Sequence, residues 1–186
     1  MTASKAIFGF TGLLASGKGT AAKYLEERYR ASQYRFSSVL RDILRRLHLE
    51  QTRDHLVKTS ECVRATFGDD ILARAIAKDA EIDDNLLVVV DGVRRLADIT
   101  YLKKLPNFIL VEISAEPKTR YERLILRGEN PDDRGKTYEQ FLADHERSTE
   151  KSILEVLPLA KEKIDNNGAL VEFHKKLDAL VKKYAN

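Results

Sequence analysis

Two stretches of almost unbroken apolar residues constrain the fold of this chain more than any other feature. They cover residues 86–90 and 108–113, with the sequences LLVVV and FILVEI. Strands of this kind are buried on both faces, which is typical of a parallel sheet between two layers of helices. The strands predicted around these stretches span 86–91 and 108–114, and further β-rich runs at 6–11, 34–37 and 161–165 alternate with segments of helical periodicity. The sequence therefore predicts a three-layer α/β domain with a five-stranded parallel sheet and a ligand site at the carboxyl ends of the strands.

The composition of the chain argues against several classes of protein. The 186 residues carry 32 Lys and Arg against 29 Asp and Glu, a net charge of +3, and the basic residues are spread along the chain. We therefore expect no nucleic-acid partner. The single cysteine excludes an internal disulfide. No apolar run approaches the ~20 residues of a membrane span, and the first residues lead straight into a strand, so we expect no membrane association and a cytoplasmic location.

A glycine-rich segment containing a lysine joins the first strand to the first helix. Residues 12–20 read GLLASGKGT, which matches G-x-x-x-x-G-K-[ST] except that a glycine follows the lysine. In this pattern backbone N–H groups and the helix N-terminus converge on phosphates, and the lysine contacts the β- and γ-phosphates. Thr20 supplies the hydroxyl one position late, so it either contacts Mg²⁺, partly through water, or holds a phosphate oxygen. The loop residues expected to bind ATP are Gly12, Leu13, Ala15, Ser16, Gly17, Lys18, Gly19 and Thr20.

Polar and basic residues follow the second and third predicted strands. The planar guanidinium of arginine binds phosphate groups bidentately, so these strand ends suit a second, phosphate-bearing substrate. Ser37 equally suits the cap of the next helix. A carboxylate at the end of an apolar strand, as at Asp91, is costly unless Mg²⁺ or an arginine accompanies it, and we expect a metal-associated role. The residues expected to bind the acceptor are Ser37, Arg41, Gly92, Arg94 and Arg95.

Two segments interrupt the core, which we assign to residues 1–38, 83–127 and 150–186 of a single domain. Residues 39–82 form a helical insertion over the acceptor pocket, and residues 128–137 form a short lid. Arginines at 120, 123 and 127 share a helical face ahead of the lid, where a plain solvated surface is the alternative. Closure of such a lid brings cations onto a transferring phosphoryl group and excludes water. The expected catalytic residues are Lys18, Arg123, Arg127, Arg134 and Arg147.

Together these motifs resemble the P-loop nucleoside monophosphate kinase superfamily, most closely its adenylate kinase-related and dephospho-coenzyme A kinase-like branch. The resemblance rests on G-x-x-x-x-G-K-G-T at 12–20, S-x-x-L-R at 37–41, D-G-x-R-R at 91–95 and R-x-x-x-R at 123–127. It implies that Arg41 and either Arg94 or Arg95 hold the acceptor phosphate and that Asp91 orients hydrated magnesium. Arg123 and Arg127 would then lie over ATP, Arg134 and Arg147 would close on the transferring group, and Asn167 would belong to the adenine-packing loop at 166–168.

The resemblance implies transfer of the γ-phosphoryl group of ATP·Mg²⁺ to a nucleoside monophosphate such as AMP. The alternatives are dephospho-coenzyme A kinase or another small-molecule kinase of this fold, and a nucleotide-binding regulatory protein with weak ATPase activity. A hydroxyl acceptor, as in the coenzyme A-type reaction, would benefit from a carboxylate base, either Asp42 or Asp91. The expected partners are ATP and a phosphate-bearing small molecule, for a monomer or a small homo-oligomer.

Overall fold

A computed structural model describes residues 5–127, 135–146 and 148–185. Its single described sheet has five strands, all parallel, in the spatial order β2-β3-β1-β4-β5. This confirms the predicted α/β class. The strands are β1 (Ala6–Thr11), β2 (Ser32–Arg35), β3 (Leu87–Asp91), β4 (Phe108–Ser114) and β5 (Glu162–Asp165).

Helices cover both faces of the sheet. The first helix follows the glycine-rich loop directly, and three helices lie between β2 and β3. Among the described residues, no helix is both long and apolar enough to cross a bilayer. The helices are α1 (Lys18–Tyr29), α2 (Phe36–Arg46), α3 (Arg53–Phe67), α4 (Ile71–Ile82), α5 (Leu96–Ile99), α6 (Pro117–Arg127), α7 (Tyr138–Asp144), α8 (Ser148–Val156) and α9 (Leu170–Tyr184).

Two apolar clusters, one on each face, hold the layers together. On one face the core joins β1 and its neighbours to α1 and α9, with Phe8, Leu25 and Phe173 among its buried residues. On the other face Ile76 of α4 packs with Val88 and other sheet residues. Alternate residues of the central strands point into opposite clusters, so these strands have no polar face and read as continuous apolar runs.

The second strand lies two residues earlier than its predicted position at 34–37. It spans Ser32–Arg35, and α2 begins at Phe36; Leu40 and Leu44, four residues apart, are buried on one face of that helix. The strand lies at the edge of the sheet and is only partly buried, which explains its weak apolar pattern. As a result Ser37 lies inside the first turn of α2, and Arg35 occupies the carboxyl end of β2.

Candidate active site

The loop between β1 and α1 adopts backbone conformations that depend on its glycines. Gly12 and Gly17 have φ angles of 144° and 109°, in the region that side chains disfavour. A Cβ atom at position 12 would collide with the carbonyl oxygen of Ile113, and one at position 17 would collide with the side chain of Asn166. The loop therefore curls tightly against β4 and the segment after β5, as a phosphate-binding loop requires.

Lys18 opens α1 and folds back over this loop. Its Nζ donates hydrogen bonds to the carbonyl oxygens of Gly12 at 2.5 Å and Leu13 at 3.0 Å, and lies 3.5 Å from Ser16 Oγ. Burial lowers the pKa of Lys18 to about 8, although the negative charge of Asp91 opposes the shift. The positive charge of Arg94 adds to it. The loop thus holds a desolvated ammonium group that an incoming phosphate would stabilise.

Three side chains from distant elements hold the tip of the loop. Arg120 of α6 donates through Nη1 to the carbonyl oxygen of Leu14 at 3.1 Å, and Glu150 of α8 accepts from the Leu14 N–H at 3.0 Å. Asn166 donates through Nδ2 to the carbonyl oxygen of Ser16 at 2.8 Å. Arg120 and Asn166 are only 2% and 5% exposed. The loop conformation is therefore fixed from both the β4 and β5 sides.

Asp91 ends β3 beside the loop and meets an arginine. Arg35 Nε lies 3.1 Å from Asp91 Oδ2, and the Asp91 side chain is 13% exposed. No group of three or more His, Cys, Asp or Glu with metal-binding geometry occurs among the described residues. One carboxylate still fits magnesium, which commonly keeps several waters and binds substrate phosphates together with one or two carboxylates. Gly19 and Thr20 are both exposed in the first turn of α1.

The residues predicted to bind the acceptor lie around the ends of β2 and β3. Arg41 is exposed on α2 and donates to Gln51 Oε1 at 3.2 Å. Gly92 has a φ of 85° and makes the turn after β3. The buried carboxylate of Asp98 accepts hydrogen bonds from the N–H groups of Arg94 and Arg95, and burial raises its pKa. Both arginines are exposed, and it is the charge of Arg94 that acts on Lys18.

The arginines predicted around the lid occupy different environments. Arg123 is half-buried on α6, and its buried Nη1 has no hydrogen-bond partner in the part of the chain that the structure describes. Arg127 is exposed at the end of that helix. Arg134 and Arg147 lie outside the described residues, as does most of the predicted lid. Asn167 is exposed and accepts through Oδ1 from the N–H of Glu116 at 2.7 Å.

A family model described as an AAA domain matches residues 11–141, more than half of the chain. The chain belongs to this AAA domain family. The match begins at the last residue of β1, takes in the phosphate loop and α1–α6, and ends within α7. Most of the residues predicted to bind nucleotide and acceptor therefore lie within the family's shared region.

Relatives of this AAA domain chain extend over nearly its full length. A UPF0200 protein of Methanococcus maripaludis strain C6 is 28% identical over 97% of this chain and 98% of its own length. A UPF0200 protein of Methanocaldococcus jannaschii is 28% identical over 97% of this chain and 91% of its own length.

Solved structures establish the fold. Shikimate kinase from Bacteroides thetaiotaomicron superposes with a TM-score of 0.64 at 15% identity, covering 96% of this chain and 97% of its own. TT1252 from Thermus thermophilus gives a TM-score of 0.61 at 17% identity, covering 98% of this chain and 100% of its own. The AAA domain chain therefore has a P-loop kinase-like fold, as its motifs predicted.

Two charged residues at this site were not singled out from the sequence. Arg35 was hidden by the misplaced boundary of β2, which put it inside a strand instead of at the strand's end. Glu150 lies 136 positions from Leu14, so no local pattern connects them. Arg120 was recognised as one of a row of helical arginines but not as a contact of the loop. Its position at the first turn of α6, directly after β4, was the one available signal.

Proposed function

We propose that this protein is an ATP-dependent phosphotransferase that moves the γ-phosphoryl group of ATP·Mg²⁺ to a nucleoside monophosphate. The observation that carries the proposal is the half-buried ammonium of Lys18, which donates to two loop carbonyls and on which the negative charge of Asp91 and the positive charge of Arg94 both act. Catalysis of phosphoryl transfer consists mainly of positioning and charge neutralisation, and this arrangement supplies both.

On the donor side, the loop residues 12–20 would bind the ATP phosphates, with Arg123 and Asn167 as further contacts. Arg123 supports this role because a buried guanidinium nitrogen without a partner among the described residues is costly unless a ligand satisfies it. Asp91 would hold Mg²⁺, with Thr20 contributing through water. Lys18, Arg123, Arg127, Arg134 and Arg147 would neutralise charge on the transferring group.

On the acceptor side, Ser37, Arg41, Gly92 and Arg94 would form the phosphate site. We place Arg94 ahead of Arg95 because its charge acts on Lys18, whereas Arg95 acts on the buried carboxylate of Asp98. A phosphate oxygen is already a nucleophile at neutral pH, so this reaction needs no general base. Attack on the γ-phosphorus forms the new P–O bond as the bond to the ADP oxygen breaks.

A second candidate is a kinase that phosphorylates a hydroxyl group, such as dephospho-coenzyme A kinase. The observation favouring it is the largely buried carboxylate of Asp91 beside Lys18, a suitable position for a base that accepts the hydroxyl proton. The fold is also shared with a shikimate kinase from Acinetobacter baumannii whose structure contains shikimate, at a TM-score of 0.56.

A phosphotransfer assay distinguishes these functions. Purified protein is incubated with ATP·Mg²⁺ and either a nucleoside monophosphate, dephospho-coenzyme A or shikimate, and ADP release is compared with a sample lacking acceptor. We expect stimulation by at least one nucleoside monophosphate and none in Lys18→Ala, with the phosphorylated product identified by mass spectrometry. Stimulation only by a hydroxyl acceptor supports the second candidate. ADP release that no acceptor changes indicates a regulatory ATPase and contradicts both.

A further inference from the structure

The side chain of Arg35 lies between Asp91 at the end of β3, which would bind magnesium, and the start of α1, which would bind the phosphates of ATP. We propose that Arg35 is a positioning residue that competes with Mg²⁺ for the Asp91 carboxylate, and thereby sets how strongly nucleotide binding depends on Mg²⁺. The inference rests on the proposed function, because it assumes that ATP·Mg²⁺ binds at the loop. It concerns a residue outside the glycine-rich, S-x-x-L-R and D-G-x-R-R motifs.

The contacts of Arg35 determine where its guanidinium group points. Its backbone pairs with Asp91 at the carboxyl ends of neighbouring parallel strands, and its Nε meets Asp91 Oδ2 at 3.1 Å. Gln33 lies on the same face of β2, and with its amide oxygen turned toward Arg35 it accepts from Nη2 at 3.0 Å. The guanidinium is thus held between the strand ends and pointed toward the start of α1.

Glycine at position 19 creates the space that the guanidinium faces. In G-x-x-x-x-G-K-[ST] this position carries the hydroxyl that binds magnesium, and here it is Gly19. Arg35 Nη2 lies 3.9 Å from a Cβ built at Gly19. A cationic group therefore approaches the position where other loops of this pattern place a metal-binding hydroxyl.

The ion pair between Arg35 and Asp91 is one that a metal ion can displace. The Arg35 side chain is 48% exposed, whereas that of Asp91 is 13% exposed, so the guanidinium borders solvent while the carboxylate is largely buried. Partly exposed ion pairs contribute little to stability. A divalent cation that binds phosphate oxygens and the carboxylate together can replace the arginine, which then turns toward solvent. Binding of Mg²⁺ at Asp91 therefore requires the ion pair between Arg35 and Asp91 to break.

The test measures the dissociation constant of a non-hydrolysable ATP analogue by calorimetry, once in EDTA and once in saturating MgCl₂. The ratio of the two constants, EDTA over magnesium, is the magnesium coupling ratio. We expect Arg35→Gln to raise this ratio about fivefold or more, within the usual range of coupling between two ligands. In an Asp91→Asn background, Arg35→Gln should leave the ratio unchanged. Arg35→Lys, which keeps the charge but not the planar fork, should give an intermediate ratio.

Arg28→Gln is the matched control. Arg28 also approaches an aspartate through Nε, 3.4 Å from Asp178 Oδ1, but it lies in the last turn of α1, about 15 Å along the helix from Lys18. It should leave the coupling ratio at the wild-type value. An unchanged or lowered ratio in Arg35→Gln overturns the inference. In particular, an affinity loss that is equal with and without Mg²⁺ leaves the ratio unchanged and would mean that Arg35 contacts phosphate itself. A wild-type protein that binds no nucleotide in either buffer overturns the proposed function instead.

Discussion

The burial of Lys18 predicts that nucleotide binding depends on pH. Burial lowers its pKa to about 8, but phosphate binds to the ammonium and not to the neutral amine. Nucleotide binding above this pKa must therefore take up a proton. We expect the association constant for an ATP analogue to fall as pH rises above about 8, by up to about tenfold per pH unit. Calorimetric titrations over this range measure it.

Lys18→Arg provides the control for this prediction. A guanidinium remains protonated throughout the range, so the variant should bind more weakly but with a flat pH profile. Parallel declines in the wild type and the variant would show that another group causes the pH dependence.

The same residue makes the nucleotide-free protein less stable. The pKa of Lys18 is about 8 in the folded state and 10.5 as an ordinary lysine, so between these values the unfolded chain binds more protons. The free energy of unfolding therefore rises with pH across that window. At neutral pH, Lys18→Met should raise it by about 1–2 kcal/mol, since the loss of hydrogen bonds to two carbonyls offsets part of the gain.

Urea denaturation of both proteins tests this second prediction. Adding ATP analogue should stabilise the wild type and leave Lys18→Met unchanged, because the variant lacks the cation that the phosphates require. A variant less stable than the wild type without nucleotide would show that the ammonium contributes net stability to the loop.

At the scale of elements, α6 is a structural support of the loop as well as a source of arginines. Arg120 is 2% exposed and donates to the carbonyl oxygens of Leu14 and Ala115 at 3.1 and 3.0 Å. Removing it leaves these carbonyls without their donor and takes away a positive charge that interacts with the buried carboxylate of Glu150. We expect Arg120→Ala to lower the free energy of unfolding by about 2–4 kcal/mol. Lys118→Ala, on an exposed position of the same helix, should change it by less than about 0.5 kcal/mol in the same denaturation experiment.

The sequence predicted an element well where the pattern that defines it lies within the element itself. β1 and β4 match their predicted bounds because their apolar runs are buried on both faces. β2 was placed two residues late because an edge strand buries little and α2 starts without a polar cap. The row of arginines on α6 predicted a shared face, but only tertiary contacts separate the buried Arg120 from the exposed Arg127.

At the scale of the whole molecule, the predicted parallel sheet implied that the loop and the other strand ends lie together, since parallel strands bring their carboxyl ends to one edge, and the structure has this arrangement. The contacts that surround the loop were beyond prediction. Arg120 and Glu150 reach Leu14 across 106 and 136 positions of sequence, and such pairings depend on how α6 and α8 pack after folding. Arg35 and Asp91 meet only because β2 and β3 are neighbours in the sheet.

The proposed reaction places two ligands at opposite sides of one sheet edge, and a bisubstrate nucleotide tests that arrangement. Joining an adenosine phosphate to a nucleoside phosphate in one molecule makes the second contact intramolecular, so affinity rises without new contacts. We expect such a compound to raise the melting temperature by at least about 5 °C more than ATP alone, through greater stabilisation of the folded state. Arg41→Ala should lose this excess and keep the shift with ATP, whereas Arg46→Ala, also exposed on α2, should keep both. If no excess is seen with any acceptor base, the nucleoside monophosphate site is absent. A hydroxyl acceptor then becomes the favoured substrate, because its kinase would use Asp91 as a base and would not transfer the γ-phosphoryl group to a phosphate.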